Sequence, residues 1–285
     1  MALIKTTRKE RIVLKIKKGI KRYLPKLVLS LVSKTYIAYI KLKRFFFSVK
    51  EISNPWGYIL DTLGLKKGLY FIIVKGNVIF LRAKTADRIM VDDVVSEKQY
   101  FKEIKGKLST VIDLGAHIGL FSALIDAEKV YAIEASKENF EILKKNASES
   151  PKKILPFHLA IADNDKGVKL YSGRMNARHS IMIHDTEEFE LVKSSTLEDF
   201  LIQNDISSCD LLKMDIEGAE YKIFYSTPKE VFSKIKSIVM ELHDVKGESK
   251  SKFVKYLIKQ GYDVKYNGKN FLWASLIENK GGKRN

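Results

Sequence analysis

The sequence predicts an α/β fold built on a mostly parallel sheet with helices on both faces, and three stretches predict it. Val111-Ile112-Asp113-Leu114-Gly115-Ala116-His117-Ile118-Gly119 reads as a buried strand, a tight glycine turn and the start of a helix. Val130-Tyr131-Ala132-Ile133-Glu134 is a second apolar strand ending in an acid. From Leu108 onward, strand patterns alternate with helical ones over 110–114, 118–126, 130–133, 137–148 and 154–160, as parallel strands joined by crossover helices require.

The first stretch carries chemistry. Gly115 and Gly119 let the backbone approach a ligand where a Cβ would clash, and the following helix aims free N–H groups at the same place. The spacing is D-x-G-x-x-x-G rather than the G-x-G-x-x-G of dinucleotide sites, and Asp113 stands where a phosphate would be repelled. A carboxylate there suits a cation such as the amino group of S-adenosylmethionine (SAM). Glu134, about twenty residues on, is placed to accept hydrogen bonds from both hydroxyls of a ribose. Phe157-His158-Leu159-Ala160-Ile161-Ala162-Asp163 reads as a third strand, with Asp163 positioned to accept from an adenine amino group.

The 285 residues, 45% hydrophobic, suffice for one good-sized core plus an extension. A single cysteine, Cys209, excludes an internal disulfide and a cysteine-based zinc site and fits a reducing compartment. The net charge of +17 is concentrated: residues 1–50 hold fifteen Lys or Arg against one acid, Glu10, leaving +3 for the remaining 235. In this front end Ile12, Ile16, Ile20, Leu24, Leu27 and Leu31 recur at helical spacing, and Pro25 is placed to start a second helix. Lys26, Lys34 and Lys41 interrupt the apolar run, so a transmembrane span is not expected. No unbroken apolar h-region with a small-residue cleavage site follows the first basic residues, which argues against a secretory signal.

Three uses of the basic segment compete: an interfacial helix on anionic lipid, a helix packed on its own domain, or an arm for nucleic acid. The first is favoured, placing the protein in the cytoplasm, peripheral at the inner face of the cell membrane. Phe45-Phe46-Phe47 fits a bilayer surface or the body of the protein equally well.

Asn54-Pro55-Trp56-Gly57 reads as a turn, and Leu69–Val74 and Val78–Arg82 as a hairpin around Lys75-Gly76-Asn77. A polar loop over 82–90 and a turn-and-helix lead-in over 91–104 follow. After Asp163 come a turn at 164–167, a short strand at 168–171 and a polar loop at 172–184. Ser195-Thr196-Leu197-Glu198-Asp199-Phe200 is a capping box. Leu211 to Glu220 and Lys236 to His243 are strands ending in acids, and a helix at 249–260 with strands at 262–266 and 270–276 completes the sheet. The domain organisation is 1–53 basic helical extension, 54–107 hairpin cap, 108–278 core domain and 279–285 disordered tail.

In that order, D-L-G-A-H-I-G, Y-A-I-E, L-A-I-A-D, S-S-T-L-E-D-F, L-L-K-M-D-I-E-G-A-E and V-M-E-L-H resemble the FkbM-type SAM-dependent methyltransferases over roughly residues 78–277, the K-M-D-I-E-G-A-E block being the most specific part. The resemblance implies a class I, Rossmann-like methyltransferase fold with seven strands, SAM as donor, and O-methylation, commonly of sugar hydroxyls. It places Asp113, Gly115 and Gly119 against the methionine part of SAM, Glu134 at the ribose and Asp163 at the adenine. His117 stands where the family usually has Asn and is a candidate SAM contact; Ala135 stands where Pro is usual. His179 and Ser180 match a segment near the acceptor, and Arg174 and Arg178 are placed to grip an acidic sugar or a pyrophosphate.

Methyl transfer to a hydroxyl needs alignment and a base, because an alcohol is a poor nucleophile at neutral pH. Strand alternation puts Asp215 and Glu217 on one side and Glu241 and His243 on one side of the next strand. His243 or Glu217 is the expected base, with Asp215 and Glu241 positioning. A divalent ion on Asp215, Glu217 and Glu241 is the disfavoured alternative; Glu220 is expected to pair with Lys213 or Lys222. Two rival functions are an RNA methyltransferase, against which D-I-E-G replaces a base-stacking proline–aromatic motif, and a non-catalytic SAM-binding protein. The acceptor is expected to be a small molecule or glycan, with nucleic acid disfavoured as a partner.

Overall fold

A computed structural model describes residues 26–97, 99–171 and 189–277. The N-terminal part runs α1 (Lys26–Glu51), α2 (Trp56–Thr62), β1 (Leu69–Val74) and β2 (Asn77–Arg82), the last two an antiparallel hairpin closed at Lys75-Gly76. Helix α3 (Asp87–Val91), a π-helical turn (Asp92–Glu97) and a 3-10 turn (Gln99–Phe101) lead into the sheet. Then follow β3 (Leu108–Leu114), α4 (Leu120–Leu124), β4 (Ala127–Glu134), α5 (Lys137–Glu149), β5 (Lys153–His158), β6 (Ala160–Ile161), β7 (Val168–Tyr171), β8 (Phe189–Val192), β9 (Ser194–Ser195) and α6 (Leu197–Gln203). The chain ends in β10 (Leu211–Met214), α7 (Glu220–Ser226), α8 (Lys229–Phe232), β11 (Ser237–Glu241), α9 (Lys250–Lys259), β12 (Tyr262–Tyr266) and β13 (Phe271–Leu276).

Seven strands form the main sheet in the order β12-β13-β11-β10-β3-β4-β5. All run parallel except β13, which is antiparallel to both neighbours. Side-chain alternation sorts the core onto the two faces. Val111, Val130, Ala132, Leu211 and Val239 pack with α5 and the hairpin cap on one face. Ile112, Leu114, Ile133, Leu212, Met214 and Met240 pack beneath α6, α7 and α9 on the other. Chain order runs outward from β3 in both directions, so the switch point lies between β3 and β10, where an open α/β sheet binds ligands beyond its strand ends.

Several elements differ from the sequence reading, among them the loop expected over 82–90, which contains α3. Trp56 starts α2 rather than closing a turn. The segment 157–163 is not one strand: β5 leaves the main sheet at His158, and β6 pairs instead with β9. Strand β10 ends at Met214, so Asp215 to Gly218 form a turn, with Glu217 at φ 54°. The capping box resolves to Thr196, whose Oγ1 accepts from the Asp199 N–H.

Candidate active site

Four segments at the carboxyl edge build the site: the turns after β3, β4 and β10, and the end of β11. Gly115 adopts φ +73°, and a Cβ there would lie 1.9 Å from the Asp215 carbonyl oxygen, so the first and third turns touch across the switch point. His117 lies at φ 53°, a left-handed backbone that His and Asn tolerate better than most side chains. Its N–H donates to Glu134 Oε2 at 2.8 Å, while the Ser136 N–H donates to Oε1 at 2.8 Å. Glu134 is buried, and burial pushes its pKa up against those two backbone donors.

Beside it opens a cleft at the carboxyl edge of the sheet. Its walls are apolar at Ile133, Leu159, Ala160, Ile161 and Leu170, and polar at His117, Glu134, Asn139, Asp215 and Glu217. SAM fits these residues: each Glu134 oxygen has an acceptor position beyond its backbone partner for a ribose hydroxyl, and the aliphatic walls suit an adenine. Glu134→Gln removes the charge and turns an amide nitrogen toward a backbone donor. It is expected to weaken SAH binding roughly 10- to 100-fold in calorimetry, the range for hydrogen bonds to a charged group.

Three residues expected at the cofactor stand elsewhere. Asp113 is fully buried, ion-paired with Lys213 Nζ at 3.0 Å and accepting from Ser122 Oγ at 2.7 Å, so it braces the turn from below instead of facing a ligand. The cause is register: Lys213 of β10 lies directly beside Asp113 of β3. Gly119 caps α4 at φ +81°, and a Cβ there would meet Leu143 Cδ1 at 2.6 Å; its bareness serves packing against α5. Asp163 is exposed beyond β6, hydrogen-bonded by its neighbour Asn164, because the chain has left the main sheet before reaching it. Arg174, Arg178, His179 and Ser180 lie outside the described residues.

The four residues expected around the acceptor do converge. His243 Nε2 is 3.3 Å from Glu217 Oε2 and 3.9 Å from Asp215 Oδ1. Its Nδ1 lies 2.8 Å from Glu220 Oε1. Glu220 is therefore not paired with Lys213 or Lys222 as expected; it is fully buried and also accepts the N–H groups of Ile216 and Gly218. Glu241 accepts from Asn270 Nδ2. Asp215, Glu241 and His243 each offer one ligand atom within 4.8 Å of the others and could hold a divalent cation, a set in which His243 replaces the expected Glu217.

Sequence reasoning missed residues that reach the site from the cap and from β10. Tyr100, its pKa driven well up by burial and then by Asp215, stays a phenol and donates to Asp215 Oδ2 at 2.6 Å. Lys213 is buried, and burial works against its charge, but Asp113 and Asp215 outweigh this and hold its pKa high. It also donates to the Gly115 carbonyl at 2.7 Å. Arg82 grips Asp87 through Nε and Nη2 at 3.0 and 2.8 Å and donates to Asn139 at 2.6 Å. Asp87 in turn lies 3.6 Å from His117 Nε2, so the hairpin cap holds two pocket residues.

Crowded acids set the proton affinities. Burial, then Asp215, pushes Glu241 up to about 7, with His243 opposing. Burial opposes the His243 charge, yet the Glu220 hydrogen bond and the charges of Glu220, Asp215 and Glu217 raise it to about 9. Both groups bind protons more tightly folded than unfolded. Their stabilising protonation is lost as pH rises from 4.5 to about 7 for Glu241 and from 6.5 to about 9 for His243. The melting temperature of the ligand-free protein is therefore expected to fall between pH 6 and 9, and His243→Gln is expected to flatten the upper half of that decline in a thermal scan.

Strand order, reversed seventh strand and switch-point pocket define the class I SAM-dependent methyltransferases. The family described as Methyltransferase FkbM domain matches residues 113–264, more than half of the chain, and the chain belongs to this family. SAM is accordingly the methyl donor. Similar solved structures include an FkbM methyltransferase from Methylobacillus flagellatus KT (13% identity, TM-score 0.41, covering 66% of this chain and 53% of that one). Others are TrmK of M. capricolum with S-adenosylhomocysteine (14%, TM-score 0.39, 62% and 65%) and TYW2 of M. jannaschii with AdoMet (14%, TM-score 0.39, 74% and 86%). The chain matches just over half the length of the first and just under two thirds of the second. No curated protein sequence matches it.

Proposed function

We propose that this chain is an O-methyltransferase acting on a hydroxyl of a sugar or glycan, held at an anionic membrane surface by its basic N-terminal segment. The observation that carries the reading is His243, oriented by a buried carboxylate and facing three more beside the cofactor pocket. Bound SAM supplies an electrophilic methyl on a cationic sulfonium. Neutral His243, its Nδ1–H directed to Glu220, presents the Nε2 lone pair and takes the hydroxyl proton as the oxygen attacks. Glu217, Asp215 and Glu241 hold the hydroxyl, and their charge favours a cation next to them. A cleft this acidic repels a phosphate backbone, which disfavours RNA as acceptor.

Because His243 is protonated up to about pH 9 in the free protein, kcat/KM is expected to rise with pH toward a limb near 9. Glu220→Gln removes the largest upward influence on that imidazole, so the limb is expected to move to lower pH. A profile already flat above pH 7 in the unaltered protein would shift the base assignment to a carboxylate. The acceptor is tested by mass spectrometry of glycans and lipids from cells lacking the protein. A species short of one methyl group supports the proposal; an undermethylated RNA nucleoside with unchanged glycans overturns it.

A further inference from the structure

Among the described residues, twelve of the eighteen exposed large hydrophobics fall within residues 34–71. They are not scattered. Trp56 and Leu60 of α2 and Leu63 at its C-cap are 75%, 40% and 64% exposed at i, i+4 and i+7, one outward stripe. Tyr58 and Asp61 are buried on the opposite side. Leu65 (68% exposed) and the basic pair Lys66-Lys67 follow directly. Between Ser53 and Gly76 the only acid is Asp61, withdrawn from the surface and occupied by the Tyr70 hydroxyl and the Lys84 N–H.

We infer that this face of α2, with Leu65 and Lys66-Lys67, is a second lipid contact that inserts at the interface of an anionic bilayer. It rests on the proposed membrane-surface reading and narrows it, since that reading located attachment in residues 1–50 alone. An exposed Trp on an apolar stripe beside lysines is the composition that partitions to the headgroup boundary, with aromatic and aliphatic groups in the acyl edge and ammonium groups at anionic phosphates. Among the described residues no helix is long and apolar enough to cross a membrane, so this contact lies on the surface.

Among the described residues this face is turned away from the body of the protein, since α2 is pressed onto the hairpin: a Cβ at Gly57 would lie 2.7 Å from Tyr70 Cδ2. Phe45 of α1 stacks on Tyr58 at 5.8 Å, on the buried side of α2, which joins the basic helix to α2 and leaves the exposed stripe outward. The same unit is tied to the catalytic cleft. Arg44 pairs with Asp93 at 2.9 Å, and Ser48 donates to Asp92 at 2.8 Å, on the π-helical turn that precedes Tyr100. Anchoring at two points on this unit fixes the orientation of the cleft relative to the bilayer. The substrate class that uses such a fixed cleft is a glycan carried on a lipid anchor.

The chain has two tryptophans, Trp56 and the buried Trp273, so emission reports on α2. Full-length Trp273→Phe protein is mixed with vesicles of phosphatidylcholine alone or with phosphatidylglycerol, with and without brominated acyl chains. The expected result is a blue shift and at least twofold bromine quenching on the anionic vesicles only. Leu60→Ser/Leu63→Ser is expected to lower the vesicle-bound fraction about tenfold at physiological salt. If Trp273→Phe fails to fold, the difference between unaltered and Trp56→Phe spectra gives the same reading. Vesicle-bound protein whose Trp56 emission stays unshifted and unquenched overturns the inference and leaves attachment to residues 1–50. So does a lipid-independent blue shift that grows with protein concentration, which assigns the face to contact between copies. No SAM is present, and SAH calorimetry on the same preparation shows separately whether the methyltransferase reading stands.

Discussion

Replacing His243 with asparagine is expected to lower kcat for methyl transfer by roughly two to four orders of magnitude, the usual loss on removing a general base. The SAH dissociation constant should change no more than a few-fold. The split follows from position. His243 is not among the pocket-lining residues and meets the pocket only through Glu217 and Asp215. Glu134 and the glycine turn that face the pocket keep their own partners: the His117 and Ser136 N–H groups for one, the Ile133 carbonyl and the Lys213 ammonium at Gly115 for the other. A purely structural His243 would instead lose stability and affinity together. Single-turnover methylation alongside calorimetry separates the two outcomes. An unchanged kcat would leave the Glu220–His243 pair without a catalytic role.

The largest expected stability effect is at Lys213. Its ammonium is buried against Asp113 and supports the Gly115 carbonyl. Lys213→Met leaves the Asp113 carboxylate buried and uncompensated, with only the Ser122 hydroxyl as partner. Breaking a buried pair from one side costs about 3–5 kcal/mol, and urea denaturation is expected to show a loss of that size. Asp113→Asn combined with Lys213→Met is expected to recover much of it, since an amide in place of the carboxylate removes the stranded charge. A single-variant cost below about 1 kcal/mol would mean that the pair does not brace the turn. Loosening the turn should also weaken SAH binding, because the carbonyl that Lys213 holds belongs to Gly115, which lines the pocket.

These two residues illustrate what a linear reading reaches. Gly115, Glu134, Asp215, Glu217, Glu241 and His243 were legible because each follows an apolar strand, and parallel strands deliver their ends to one edge. The reasoning for Asp215 and Glu217 was nonetheless wrong in detail. They sit in a turn beyond β10, with Glu217 in a left-handed backbone, and strand alternation does not place them. Asp113 looked like a ligand because its partner lies 100 residues away, and only the β3–β10 register brings Lys213 beside it. Glu220 reads as a partner for Lys213 or Lys222 because nothing local reveals that α7 turns it beneath His243.

Tyr100 was invisible for a related reason. It belongs to the cap and meets Asp215 across 115 positions of sequence. Asp163 was misplaced because the departure of the chain from the main sheet after His158 leaves no apolar–polar signature; residues 159–162 continue the same apolar run into a different sheet. The exposed stripe of α2 was hidden by reading Asn54-Pro55-Trp56-Gly57 as a turn, when Pro55 is the N-cap that launches the helix.

The central claim is that the turns after β3, β4 and β10 form a receptor for a sulfonium nucleoside. Isothermal titration of the folded, full-length protein with SAM and with SAH tests it most directly. One molecule of each is expected to bind per chain, with Glu134→Gln weakening both by a similar factor. Correctly folded protein that takes up neither compound would contradict the account at its foundation.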